Sequence, residues 1–260
     1  MIKRALVTGG AIRLGRAMAL YLAERGYSVA VHYASSAGPA DEVVAEIKNA
    51  GGQAVALGAD LLDAGQTETL VSRAVEALGG PLGLLVNNAS IFEYDTIQTA
   101  TAESWDRHIN SNLRAPYFLS QDFAEQAEPA VEDENGEPVA QSLIVNMVDQ
   151  RVLKPTPEFS TYSVAKHALW ALTRMSAQGL APHIRVNAIG PGPTMQGTRQ
   201  SKAHFDMQRQ STILGRGADP ADITAALGYL IDARSVTGQM ICVDGGQNLG
   251  WQTPDILGVE

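Results

Sequence analysis

The stretch that decides the fold lies close to the start of the chain: Ala5-Leu6-Val7-Thr8-Gly9-Gly10-Ala11-Ile12-Arg13-Leu14-Gly15. Its apolar beginning reads as a buried strand. The small residues after Val7 read as a turn, and the pattern over 14–25 reads as an amphipathic helix. A strand that runs into a Gly-rich turn and then a helix leaves free helix N–H groups beside a backbone that a diphosphate can approach. Arg13 stands out in this turn. A cation at a helix N-terminus is disfavoured by roughly 0.3–1 kcal/mol, and a bound anion reverses the sign. Arg13 therefore reads as a ligand-facing residue, with a solvated surface charge as the other reading.

Working outward, the same alternation continues along the chain. Strand-like apolar runs fall at 5–8, 28–33, 53–57, 82–87, 142–146, 184–189 and 240–243, with helical patterns at 14–25, 40–50, 67–78, 103–125, 162–180 and 221–231. Strand–helix repetition of this kind predicts an α/β fold. The expected architecture is a single Rossmann-type doubly wound domain over 1–260, its parallel seven-stranded sheet flanked by helices. The strand runs are apolar almost throughout, as they must be when both faces of a sheet are covered. The polar segment 125–138 carries Glu128, Glu132, Asp133, Glu134 and Glu137 around Asn135-Gly136 and reads as an acidic surface loop. The segment 191–217 follows a strand, lacks strand signals, and reads either as a substrate lid or as a plain connection.

Composition narrows the function classes. The 260 residues carry a formal charge of -9, which argues against nucleic acid or an anionic membrane as the main partner. The single Cys242 lies in an apolar run and cannot form an intrachain disulfide, so a reducing, cytoplasmic setting is expected. Scattered histidines and the absence of a cysteine pair give no metal site. No apolar run reaches the roughly 18 residues of a membrane span, and the start of the chain has no signal-peptide pattern. A small molecule is the expected partner.

The second strand ends Val31-His32-Tyr33-Ala34-Ser35-Ser36. In a dinucleotide-binding fold an acidic residue near this point holds the ribose 2′-hydroxyl. Here there are hydroxyls and His32 instead, which suit a 2′-phosphate and favour NADP(H) over NAD. Asp60, after the third strand, is placed nearer the adenine. Further on, Tyr162 and Lys166 stand four residues apart on one helical face. A nearby ammonium lowers a phenol pKa. A phenol so tuned delivers a proton while a hydride arrives.

Together with the Thr8–Gly15 turn, several elements make a set: Asn87-Asn88-Ala89-Ser90, Asn112, the Tyr162/Lys166 pair, Pro191-Gly192 and Val243-Asp244-Gly245-Gly246. On these residues the chain resembles the short-chain dehydrogenase/reductase family over essentially its full length. The resemblance implies a nicotinamide cofactor, with Tyr162 as acid, Lys166 as its ribose-binding partner and Asn112 in a water-linked proton relay. It implies a cofactor cleft formed by Gly9, Arg13, Leu14, His32, Tyr33, Ser35, Asp60, Leu61, Asn88, Ala89, Ser90, Met147, Tyr162, Lys166, Pro191, Gly192 and Thr194. It also implies a homotetramer. The apolar C-terminal stretch 249–259, with Trp251, Ile256 and Leu257, is expected to pack on a neighbouring subunit or on its own chain.

Two departures narrow the resemblance. Arg13 stands where the family usually has Gly, and Asp149 stands where it usually has Ser, thirteen residues before the Tyr. Together with Asn146-Met147-Val148-Asp149 and Asn87–Ser90 followed by Phe92, they are similar to the pteridine reductase branch. By that likeness Phe92 stacks on a pterin, Arg13 meets cofactor and substrate, and Asp149 joins Tyr162 in proton delivery; core packing is the other reading of Phe92. Desolvation would raise the Asp149 pKa, and a protonated carboxyl can donate to a ring nitrogen. The other reading pairs Asp149 with Arg151. The implied reaction is NADPH-dependent reduction of a dihydropterin or dihydrofolate C=N bond. An NADPH-dependent carbonyl reductase acting on 3-oxoacyl or other ketones, and a non-catalytic NADP-binding sensor, remain as alternatives.

Overall fold

The computed structural model describes residues 2–197 and 200–251. In chain order the elements are β1 (Arg4–Val7), α1 (Arg13–Glu24), β2 (Ser28–Tyr33), α2 (Ala37–Asn49), β3 (Ala54–Gly58), α3 (Ala64–Glu68), α4 (Leu70–Leu78) and β4 (Leu84–Asn87). They continue with α5 (Ala102–Ile109), a π-helical turn (Asn110–Arg114), α6 (Ala115–Gln126), β5 (Val131–Glu132), β6 (Pro138–Val139) and β7 (Ser142–Met147). A 3₁₀ turn (Gln150–Val152), α7 (Ser160–Gly179), β8 (Ile184–Pro191), α8 (Lys202–Gln210), α9 (Pro220–Asp232), β9 (Met240–Val243) and a second 3₁₀ turn (Gln247–Leu249) complete the described chain.

Seven strands form one parallel sheet in the order β3-β2-β1-β4-β7-β8-β9. The chain reverses its direction of travel across the sheet between β1 and β4. In open α/β sheets the ligand crevice lies outside the carboxyl ends of the strands at this point. The register Val7↔Val86 brings the Thr8 turn and Asn88 to that crevice together.

The strand residues alternate between two cores. Ala5 and Val7 of β1 pack with Met18 and Leu22 of α1, Val43 and Ile47 of α2, and Leu227 and Leu230 of α9. Leu6 points the other way, into a cluster with Leu70 and Ala74 of α4, Leu119 and Phe123 of α6, and Ala177 of α7. Both faces are thus sealed, which explains why the strands lack polar alternation.

Four segments differ from the sequence reading, the first being the helix expected over 67–78, which is split into α3 and α4 at Thr69. The helix expected over 103–125 is broken by the π turn at Asn110–Arg114. Pro116 has no N–H, so the α-helical donor for the Asn112 carbonyl four residues earlier is missing, and the backbone accommodates this with one wider turn. The acidic segment 125–138 holds a small antiparallel hairpin of β5 and β6 rather than a plain loop. Its tip is ordered by the Asp133 carboxylate, which accepts from the Asn135 and Glu137 N–H groups. The segment 191–217 contains α8, capped by Ser201 and without a buried residue.

Candidate active site

The first turn is built for close approach. Gly9 adopts φ +61, a conformation that L side chains rarely take. A Cβ on Gly15 would lie 1.9 Å from the Gly9 carbonyl oxygen, so no larger residue fits there. Thr8 then bolts the turn to β4. Its Oγ1 accepts from the N–H groups of Asn88 (2.9 Å) and Ala89 (3.0 Å) and donates to the Val86 carbonyl at 3.3 Å. Asn88 returns the contact, donating from Nδ2 to the Thr8 carbonyl (2.8 Å) and the Gly9 carbonyl (3.2 Å).

His32 stands apart from the cofactor-facing role expected of it. The ring is buried within the sheet. Nδ1 accepts from the Gly9 N–H at 3.0 Å, so Nε2 carries the hydrogen and donates to the Ala59 carbonyl at 2.9 Å. Both nitrogens are used by backbone, and burial pushes the pKa down to about 4. In this arrangement His32 holds the cradle and offers a phosphate no proton. Tyr33 is half-buried at the end of β2, and Ser35 is exposed beyond it. Leu61 is buried, while the exposed Asp60 accepts from the Leu62 N–H.

Arg13 takes φ +53, as glycine does readily and other residues rarely. Its guanidinium donates to the carbonyls of Gln196 (2.8 Å) and Met195 (3.0 Å), tying the first turn to the segment after β8. Pro191 ends β8, and a Cβ on Gly192 would come within 2.6 Å of Asp244. Thr194, buried nearby, donates to the Gly192 carbonyl. Ser90 is exposed at the mouth of the cleft, and Leu14 is half-buried on the first turn of α1.

On the other side of the crevice, Tyr162 and Lys166 project from the first turns of α7 and are only 6% and 2% exposed. The Tyr162 hydroxyl donates to Asp149 Oδ2 at 2.8 Å, and Asp149 Oδ1 accepts from the Arg151 N–H at 2.8 Å. Lys166 Nζ donates to the Met147 carbonyl at 2.7 Å and lies 5.7 Å from the centre of the Tyr162 ring.

The electrostatics differ from the simple Tyr/Lys expectation. Burial, followed by the neighbouring Asp149, raises the Tyr162 pKa well above its ordinary value. Burial also raises Asp149, although hydrogen bonds from the Arg151 N–H and Tyr162 oppose it. Lys166 is pushed down to about 8 by burial, with Asp149 acting in the other direction. The acidic centre is thus a coupled phenol–carboxyl pair rather than a phenol sharpened by an ammonium.

Asn112, fully buried on the π turn, exchanges two hydrogen bonds with Ile91: Oδ1 accepts from its N–H at 2.9 Å and Nδ2 donates to its carbonyl at 2.8 Å. This anchors the loop that carries Phe92. Phe92 is 44% exposed, with its ring centroid 4.7 Å from that of Tyr162 in a T-shaped contact. Phe159 stacks on Phe92 at 4.2 Å, and the Arg151 guanidinium lies over Phe159 at 5.1 Å. Phe159 itself sits at φ +55 immediately before α7. A non-glycine residue in that region is a local strain that clusters at functional sites. The sequence reading missed Phe159 as a site residue and gave Thr8, placed in the first turn, no contact of its own, because neither periodicity nor spacing marks these contacts.

The residues present fit a dinucleotide: a glycine cradle that a Cβ would fill, the open end of α1, and hydroxyls rather than a carboxylate at the end of β2. No group of three or more acidic, His or Cys side chains able to hold a metal occurs among the described residues. Cys242 is half-buried, and burial pushes its thiol up to about 11. Leu249 and Trp251 are exposed at the end of the described chain, while Ile256 and Leu257 lie outside the described residues. No described helix is long and apolar enough to cross a membrane.

Comparison with known proteins agrees with this geometry. The crystal structure of FolM alternative dihydrofolate reductase 1 from Brucella canis, complexed with NADP, is 41% identical with a TM-score of 0.90, covering 97% of this chain and 96% of that one. An uncharacterized oxidoreductase of Methylorubrum extorquens is 38% identical over 252 residues, which is 94% of this chain and 97% of that protein. The 3-oxoacyl-[acyl-carrier-protein] reductase FabG of Staphylococcus aureus is 33% identical over 252 residues, 95% of this chain and 98% of that one. A family model described as enoyl-(acyl carrier protein) reductase matches residues 10–248. With a match of that extent, and with relatives aligned along nearly their whole length, the chain belongs to the short-chain dehydrogenase/reductase family.

Proposed function

We propose that this protein is an NADPH-dependent reductase of a dihydropterin-like C=N bond. The observation that carries the reading is the 2.8 Å bond between Tyr162 and Asp149, at the position where the family usually has Ser. When bound, NADPH supplies the hydride. Gly9, Arg13, Leu14, Asn88, Ala89 and Thr194 line the cleft that would hold it, with Tyr33 and Ser35 toward a 2′-phosphate and Lys166 toward the ribose. The NADP complex of the 41%-identical reductase supports this assignment.

The chain's own residues supply the proton. Asp149 has a raised pKa and therefore retains a proton to higher pH than an exposed carboxyl. With Asp149 protonated, the bond to Tyr162 reverses: Oδ2–H donates to Tyr162 Oη, and the phenolic hydrogen turns toward the substrate nitrogen. As that hydrogen leaves, Oη takes the hydrogen of Oδ2, and Asp149 ends as the carboxylate. No phenolate forms, so the raised Tyr162 pKa is no obstacle. Phe92 and Phe159 form an aromatic wall beside this pair, suited to a flat heterocycle. A homotetramer and a cytoplasmic setting belong to the same proposal, on the family resemblance.

A second reading, reduction of a 3-oxoacyl or other ketone, draws on the 33%-identical FabG and on Phe159, which covers one face of Phe92. NADPH oxidation followed across 7,8-dihydrobiopterin, 7,8-dihydrofolate, small ketones and 3-oxoacyl thioesters separates the two. The expected result is turnover of the dihydropterins, lost by about a hundredfold in Asp149→Ser, the size of a general-acid contribution. Ketone turnover that survives Asp149→Ser, with no dihydropterin turnover in the wild type, selects the second reading.

A further inference from the structure

The α7 helix that carries Tyr162 and Lys166 begins without a local cap. The residue before it is Phe159, whose side chain accepts no hydrogen bond, so the first N–H groups of α7 need a partner from elsewhere. They find it in Asp95, sixty-six residues upstream of Thr161. Asp95 is 3% exposed. Its Oδ1 accepts from the Thr161 N–H at 3.1 Å, and its backbone carbonyl accepts from the Ser160 N–H at 3.3 Å. Its Oδ2 accepts from the Thr161 hydroxyl and, at 3.1 Å, from Ser104 Oγ.

His108 completes the cluster from α5. It is fully buried, and its Nε2 accepts from the Glu93 N–H at 3.1 Å. The hydrogen is therefore on Nδ1, which faces Thr161 Oγ1 at 2.7 Å and the Ser104 carbonyl at 2.8 Å. Thr161 thus receives from His108 and gives to Asp95. The bonds join three pieces of chain: the loop that carries Phe92, the helix α5, and the first turn of α7.

We infer that Asp95, Thr161 and His108 are positioning residues that set the Tyr162 hydroxyl by fastening the start of α7 to the loop that carries Phe92. Thr161 adjoins Tyr162 in sequence, so a shift of the first turn of α7 moves the phenol against Asp149. Asp95 and Phe92 lie three residues apart on one loop, so the same shift moves the aromatic wall relative to the proton donor. The role assigned to Phe92 rests on the function proposed above, whereas the fastening of α7 does not.

The test uses Asp95→Asn, Thr161→Val and Thr161→Ser in the full chain. At saturating NADPH and 7,8-dihydrobiopterin, or a 3-oxoacyl thioester if only that turns over, kcat is expected to fall about tenfold in Asp95→Asn and Thr161→Val, as for a sub-ångström misplacement of a reacting group. The dissociation constant of NADPH, read by fluorescence, should stay within about twofold, since the cradle of β1 and α1 is untouched. Thr161→Ser restores the hydroxyl and should recover kcat. Amide exchange read by mass spectrometry should show faster exchange at both 91–96 and 160–162 in Asp95→Asn. A lower melting temperature with kcat unchanged, or failure of Thr161→Ser to recover it, overturns the inference. If the wild type turns over no substrate on the panel, the proposed function fails, while the exchange arm still decides whether loop and helix are fastened.

Discussion

The two sides of the crevice are held in different ways. On the cradle side, the turn after β1 is fixed by Thr8, His32 and Asn88, which stand at the ends of β1, β2 and β4. The groups are neutral, and the hydrogen bonds that fix the turn run between their side chains and backbone. On the opposite side, Tyr162 and Lys166 are ionisable and buried and Asp149 is half-buried, and loss of solvent moves the pKa of each. Under the proposed function the cradle supplies shape and the other side supplies protons. A substitution in the first should change affinity and stability, and one in the second should change turnover.

The largest break in this contrast is Tyr162→Phe. It removes the buried phenol oxygen from the pair and leaves the cradle intact. Turnover is expected to fall by about 10²–10⁴, the range of general acid catalysis, while NADPH binding read by fluorescence quenching stays near wild type. A variant that keeps turnover, or that loses NADPH binding along with it, would show that the two sides do not divide the work in this way. The pH profile sharpens the point. In the proposed mechanism Asp149 must be protonated to refill Tyr162, so kcat is expected to fall as pH rises through the raised Asp149 pKa.

The contrast also explains what could be read from the sequence. The seven strands and the cradle follow from local rules: apolar runs buried on both faces, and glycines where a backbone must pass close. Gly9 and Gly15 are legible for that reason. That Tyr162, Lys166 and Asp149 lie together was legible through spacing and family likeness, but their electrostatics were not. The expected lowering of the Tyr162 pKa by Lys166 gave way to a raised one, because Lys166 turns to the Met147 carbonyl and burial dominates. His32 was read as a phosphate partner from its place at the end of β2. Nothing in the sequence shows that its ring turns inward to Gly9 and Ala59. The Asp95–Thr161–His108 cluster left no trace, since its members are scattered over three elements and follow no period.

His32 tests the cradle side through stability. Its pKa is about 4 in the fold and ~6.5 when unfolded, so the folded form stays neutral while the unfolded chain takes up a proton. The stability it confers is present above pH ~6.5 and is lost as pH falls toward 4, on the order of 3 kcal/mol across that window. His32→Asn keeps an acceptor for the Gly9 N–H and cannot titrate. Urea unfolding between pH 7 and 4.5 should show a shallower loss of stability in this variant than in wild type. Equal slopes would mean that His32 is not held neutral by the sheet.

Arg13 gives the smallest effect, because opposing terms nearly cancel. An L-residue at positive φ costs about 1–2 kcal/mol, which Arg13→Gly relieves. The glycine then loses about 0.5–1 kcal/mol of unfolded-chain freedom on folding. It also gives up the exposed guanidinium bonds to Met195 and Gln196, each modest in water. The melting temperature should therefore move by only a few degrees. The informative readouts are local: amide exchange at 193–197 should quicken as the tie from the first turn is cut, and NADPH affinity should weaken if Arg13 also faces the cofactor phosphates. A variant that is more stable and binds NADPH as tightly as wild type would make the strain at Arg13 a matter of tethering alone, placing this residue with the structural groups of the cradle rather than with those that meet a ligand.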